Sequence, residues 1–197
     1  MVLVLVSSGT THHHRAVAAH VPAPAPPSPP PPPPKPKPKP RPKPQPTDDP
    51  WPVYGYDLAR TRFFPGASKL DPPLHVGWRF YDGALLEFPP VIYDNTLYFE
   101  DEHGWVSALS STNGHLLWHR RIGTLAAASP ALDIQRKLVF FTLLSTSPGA
   151  RSPGNGAVVA VSMTTGKVAW SHPLPAGSES SPLVHGLSVF LGDQAGT

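Results

Sequence analysis

The sequence predicts an all-β chain, a β-propeller of four-stranded blades present in part, behind a proline-rich N-terminal segment. Three observations predict it. Trp78, Trp118 and Trp170 are spaced 40 and 52 residues apart, and Pro90, Pro130 and Pro182 repeat the same two intervals. No window sustains the 3.6-residue apolar period of a helix. Two unrelated markers at one spacing indicate an internal repeat, and a period of about 40 residues is the size of a four-stranded blade. The extra twelve residues of the second interval match Ser145–Gly156 (STSPGARSPGNG), with the composition of a surface-loop insertion.

The chain divides by composition into residues 1–20, 21–50, 51–73 and 74–197. Met1–Val6 is apolar but lacks the basic start and length of a signal peptide, and falls far short of the roughly 20 apolar residues that span a bilayer. It is expected to be the end of a longer, truncated signal anchor; a terminus without a role is the alternative. His12, His13, His14 and His20 have metal-binding side chains, but histidine runs beside low-complexity sequence are commonly incidental.

Seventeen of the 29 prolines lie between Pro22 and Pro50, in a run of six followed by Lys-Pro alternation from Lys35 to Pro44. Alternating proline fixes φ near the polyproline II value, and the like charges repel, so this segment is expected to be an extended stalk. At roughly 3.1 Å per residue it would reach about 90 Å. Three roles stay open: a plain spacer, a ligand for a proline-binding groove, and a basic contact to an anionic cell-wall or membrane surface.

Beyond the stalk, the first full repeat places strands near Phe88–Ile92, Thr96–Phe99, Trp105–Leu109 and His115–His119, separated by turn residues such as Asp94-Asn95 and Asn113-Gly114. The second places them near Ser129–Leu132, Leu138–Leu143, Ala157–Val161 and Lys167–Ser171; a third begins at Ser180–Val184 and Leu187–Leu191. An incoming strand, Leu74–Tyr81, is a candidate to close the ring. Two blades and part of a third leave open edges, so the sequence is expected to be a fragment of a longer propeller or to associate.

From Trp51 onward, ten Lys and Arg face eleven Asp and Glu, so the +3 net charge resides in the stalk. A nearly neutral folded part lacks the basic footprint that nucleic acid requires. There is no cysteine, which excludes disulfides and thiolate metal sites. No Gly-rich phosphate loop, GxSxG or HExxH is present, and Ser, His and Asp show no triad-like spacing.

The stretches Ala108-Leu-Ser-Ser-Thr-Asn-Gly-His-Leu-Leu-Trp118 and Ala160-Val-Ser-Met-Thr-Thr-Gly-Lys-Val-Ala-Trp170 each carry a hairpin glycine four residues before a tryptophan. They resemble the tryptophan-docking motif of pyrroloquinoline-quinone-type (PQQ-like) propellers, roughly Ala-x-Asp-x-x-Thr-Gly-x-x-x-Trp, with Ser110 and Ser162 where Asp is usual. The openings Pro89-Pro90, Ser129-Pro130 and Ser181-Pro182 resemble the innermost strands of that family, and Trp51–Thr61 its lead-in. The resemblance implies that Trp118 and Trp170 lie between neighbouring blades, with Gly114 and Gly166 as structural docking residues.

The resemblance also frames the chemistry. PQQ-type dehydrogenases hold quinone and Ca²⁺ at the ring centre, with a catalytic Asp and, in many members, an adjacent-cysteine disulfide. This chain has no cysteine and no segment matching the catalytic Asp region. Glu87 and Glu179 stand three residues before their blades' prolines, with Ala127 at that place in the middle blade. If inner strands line the channel, Glu87, Glu179, Ser180 and Ser181 face a central ligand or ion; otherwise they are solvated residues at its mouth.

The function expected is therefore a non-catalytic, extracytoplasmic binding or scaffold module of the cell envelope. Its blade loops or edges would meet a protein partner, and neither nucleic acid nor a cofactor is expected to be bound. The alternative is the N-terminal part of a PQQ-dependent dehydrogenase, with PQQ and calcium as cofactors.

Overall fold

The computed structural model describes residues 2–7, 50–65, 72–149 and 154–197, which fall in one compact unit. The histidine cluster and the stalk up to Asp49 lie outside the described residues, as do 66–71 and 150–153.

Two antiparallel four-stranded sheets form the blades. The first runs β3 (Val91–Tyr93), β4 (Thr96–Glu100), β5 (Trp105–Ser110) and β6 (Leu116–Arg121) in chain order. The second runs β7 (Ala131–Asp133), β8 (Leu138–Leu143), β9 (Ala157–Ser162) and β10 (Val168–Pro173). A third begins with β11 (Leu183–His185) and β12 (Ser188–Phe190). The incoming strand β2 (Leu74–Phe80) pairs antiparallel with β1 (Val2–Ser7), so the apolar start of the chain is a strand, which its hydropathy alone did not indicate.

The inner strands begin later than the sequence suggested. Pro90, Pro130 and Pro182 have no N–H to give a ladder, so pairing starts one residue on, at Val91, Ala131 and Leu183. The insertion falls between β8 and β9, its base closed by a hydrogen bond from Thr146 N to Asn155 O.

Period-2 alternation along β4 then builds the core. Tyr98 joins Val139, Phe141, Leu143, Val159 and Val161 of the second blade, whereas Leu97 and Phe99 pack with Trp78 and Phe80 on β2. The first blade is thus a sandwiched layer, packed on one face against β2 and on the other against the second blade. Phe99 and Phe141 are almost inaccessible, and burying a side chain of that kind stabilises by about 1.5–3 kcal/mol.

The lead-in segment ties the blades together from inside. Trp51 exchanges two backbone hydrogen bonds with Ile92 on β3, at 2.8 and 2.9 Å. Pro52 O accepts from Leu132 N on β7, and Arg60 Nη2 donates to Ser181 O at the entry to β11. One short segment therefore touches the innermost strand, or its entry, in three successive blades. Its fold is held by an aromatic cluster of Trp51, Tyr56 and Phe64 and by Asp57, which accepts from Thr61 N and Thr61 Oγ1.

Candidate functional site

The seams between blades are built from the tryptophans. Trp78 Nε1 donates to Ser111 O and Trp118 Nε1 to Met163 O, each at 2.8 Å, so the β2 and β6 indoles both reach into the next blade. Gly114 (φ 72°) and Gly166 (φ 69°) turn the receiving hairpins in the left-handed region. Trp118 is buried; Trp170, its counterpart on β10, is 41% exposed, and its Nε1 has no hydrogen-bond acceptor among the described residues. It packs on Phe140 of its own blade at 5.6 Å between ring centroids.

The four channel candidates have different fates. Ser181 is buried, and its Oγ accepts from Ser129 N at 3.0 Å. Ser129 Oγ in turn donates to Pro89 O at 2.8 Å. A chain of hydrogen bonds therefore runs across the entries to β3, β7 and β11. Ser180 is half-buried, and its carbonyl accepts from Thr142 Oγ1. Glu87 and Glu179 are exposed. The serines therefore stitch blades together, and among the described residues no three acidic or histidine side chains are gathered to hold a metal ion.

The sequence missed a pair that register brings together. Ser107 on β5 faces His119 on β6, with Ser107 Oγ and His119 Nδ1 2.8 Å apart. His119 is half-buried and stacks on Trp105 at 4.3 Å. Ser107 has no solvent exposure, so no substrate reaches its hydroxyl; the pair is a cross-strand tie rather than a nucleophile with its base.

Two buried carboxylates, Asp101 and Glu100, and the half-buried Asp82 lie at this end of the first blade. Asp101 is spent locally, its Oδ1 accepting from His103 N and Trp105 N. Burial and the Asp101 charge raise the Asp82 carboxyl, against the pull of His119 and His103. Glu100 is 5% exposed, and burial above all pushes its carboxyl well above the usual range. Neither Glu100 oxygen has a hydrogen-bond partner among the described residues.

Between the first two blades lies a cavity of about 490 Å³, lined by Tyr93, Tyr98, Leu117, Trp118, Lys137 and Met163 among others. The outer strands carry apolar residues at the surface: Leu116 and Leu117 on β6, and Val168 with Trp170 on β10. No helix among the described residues is long and apolar enough to cross a membrane.

A family model described as outer membrane protein assembly factor BamB matches residues 75–197, more than half of the chain. No curated protein sequence matches it. Among solved structures, the chain is similar to the quinohemoprotein alcohol dehydrogenase of Comamonas testosteroni, with 20% identity and a TM-score of 0.54, over 73% of this chain and 23% of that one. BamB from Moraxella catarrhalis is matched at 13% identity and a TM-score of 0.46, over 59% of this chain and 37% of that one. The chain thus spans well under half the length of either structure. The dehydrogenase likeness supports the fold alone. From the family match, with the two tryptophan–glycine seams and the antiparallel four-stranded blades, the chain belongs to the PQQ-like repeat propellers, the BamB-type family.

Proposed function

We propose that this chain is part of a non-catalytic propeller outside the cytoplasm, a scaffold in the cell envelope that binds protein partners through its blade loops and outer strands. The observation that carries the reading is the use made of the inner-strand serines. The Ser181 hydroxyl oxygen is fixed to Ser129 N, so a side chain that would meet a central ligand joins two blades instead. The outer face offers what a protein partner needs: Leu116 and Leu117, each about half exposed and consecutive on β6, the outer edge strand of the first blade. The description of the matching family, an assembly factor, supports the same reading.

A quinoprotein dehydrogenase is the competing reading, favoured by the exposed, equivalently placed Glu87 and Glu179. Calorimetric titration of the protein, as its natural source produces it, with PQQ and Ca²⁺ separates the two. The scaffold predicts no stoichiometric uptake. Tight one-to-one uptake overturns it in favour of the dehydrogenase.

A further inference from the structure

Glu100 has a counterpart in the second blade, and the two seams solve the same problem with different residues. Val91 pairs with Tyr98 and Ala131 with Phe140, so Glu100, two residues beyond Tyr98, is equivalent to Thr142. Ala126 and Ala128 precede Pro130 by four and two residues, as Ser178 and Ser180 precede Pro182.

At the second seam the backbone of Ser180 is satisfied by two hydroxyls. Thr142 Oγ1 donates to Ser180 O at 2.8 Å, and Ser180 N donates to Ser178 Oγ at 3.1 Å. At the first seam alanine replaces Ser178, and Glu100 replaces Thr142. Ala128 is 2% exposed, and among the described residues neither its N–H nor its C=O is committed to another partner. Buried backbone groups left in that state are rare and costly. The group facing the Ala128 N–H is the Glu100 carboxyl, itself buried and short of a hydrogen bond.

We infer that Glu100 acts as a neutral carboxylic acid latching the first blade to the second, one oxygen accepting from Ala128 N–H and the other donating to Ala128 O. A single protonated carboxyl then does the work of the Thr142 and Ser178 hydroxyls. A carboxylate cannot, because it has no donor for the carbonyl and would carry a charge among apolar neighbours. The surroundings leave that charge unbalanced. The segment 122–130 and strands β5, β8 and β9 bring no ionisable side chain, and β3 brings only Tyr93. Tyr98 lies on Glu100's own strand, and the charge acting on Glu100 is that of Asp101, also negative.

The latch makes the seam sensitive to pH. The carboxyl is protonated when folded and ionises near its ordinary value of 4.5 when unfolded, so its stabilisation is complete below about 4.5 and is lost as pH rises toward the folded value. Urea unfolding of the full chain between pH 5 and 8 reads this as an unfolding constant that grows by up to about tenfold per pH unit relative to Glu100→Gln. Glutamine keeps one donor and one acceptor, so that variant loses the dependence and holds its stability at pH 7. The double variant E100T/A126S, which installs the second seam's residues, does the same.

Infrared spectroscopy of the unmodified chain gives a reading independent of how the variants fold. A protonated carboxyl band at pH 7, absent from Glu100→Gln, supports the latch. Parallel pH profiles for the wild type and Glu100→Gln, or an ionised Glu100 at pH 7, overturn it.

Discussion

Trp118 and Gly166 meet across the boundary between the first and second blades with no room between them. A Cβ built on Gly166 would lie 2.7 Å from Cδ2 of the indole, and the residue sits at φ 69°, where side chains are disfavoured. Trp78 and Gly114 repeat the relationship one blade earlier, at 2.6 Å to Cε3 and φ 72°. The fixed spacing of Gly and Trp in sequence is thus a contact between successive blades: each tryptophan lies on the glycine of the following repeat, not on its own.

Gly166→Ala should therefore destabilise twice over, through backbone strain of about 1 kcal/mol and steric overlap of about 1–3 kcal/mol. Gly149→Ala is the control, because φ is 71° there but the space is open. Urea unfolding should show a loss for G166A at least 1 kcal/mol larger than for G149A, in line with the overlap component. Equal losses would mean that the indole does not press on the glycine.

Trp118→Ala should cost about 3–5 kcal/mol, since it empties a buried site and leaves Met163 O without its donor. Trp170→Ala in the same chain should cost less than half as much, because its indole is 41% exposed and lacks an acceptor. Thermal unfolding of both variants checks the order, and a loss under about 1 kcal/mol for Trp118→Ala would contradict its docking role.

Asp133 and Arg136 give a pH dependence of opposite sign to that of Glu100. Burial alone would raise Asp133, but hydrogen bonds from Arg136 N and its guanidinium hold the carboxyl below the usual 3.8. Its contribution is present above pH 3.8 and is lost as pH falls through the folded value. Arg136→Met should cost about 1–2 kcal/mol at pH 7, discounted because Arg136 is 40% exposed, and the difference from wild type should shrink by pH 3. A difference independent of pH would remove the ion pair from the account.

Arg60→Ala should cost about 1 kcal/mol by cutting the bond from the lead-in to Ser181 O. It should also speed proteolysis at Arg62, next to the strained turn in which Tyr56, Arg60 and Arg62 all take positive φ. Unchanged cleavage would mean that the lead-in is held by its Trp51 pairing alone.

The repeat was legible because its markers are sterically obligatory: proline stops the inner ladder, glycine turns the hairpin, and tryptophan fills the seam. What was hidden depends on which faces meet. Glu100 looks like an ordinary charged strand end until β4 is sandwiched between β2 and the second blade, and only its register match with Thr142 sets it apart. Ser181 looked like a channel ligand because inner strands line a channel, yet its hydroxyl points along the seam to Ser129. The path of the lead-in across Ile92, Leu132 and Ser181 is carried by backbone atoms, which leave no mark in residue type.

The most direct test of the seam is hydrogen exchange of the indole Nε1–H groups, resolved by ¹⁵N NMR of the full chain. Docking predicts strong protection at Trp118, where the proton is buried against Met163 O, and weaker protection at half-buried Trp78; Trp170 should exchange freely. Equal exchange at Trp118 and Trp170 would contradict the claim that these tryptophans join one blade to the next.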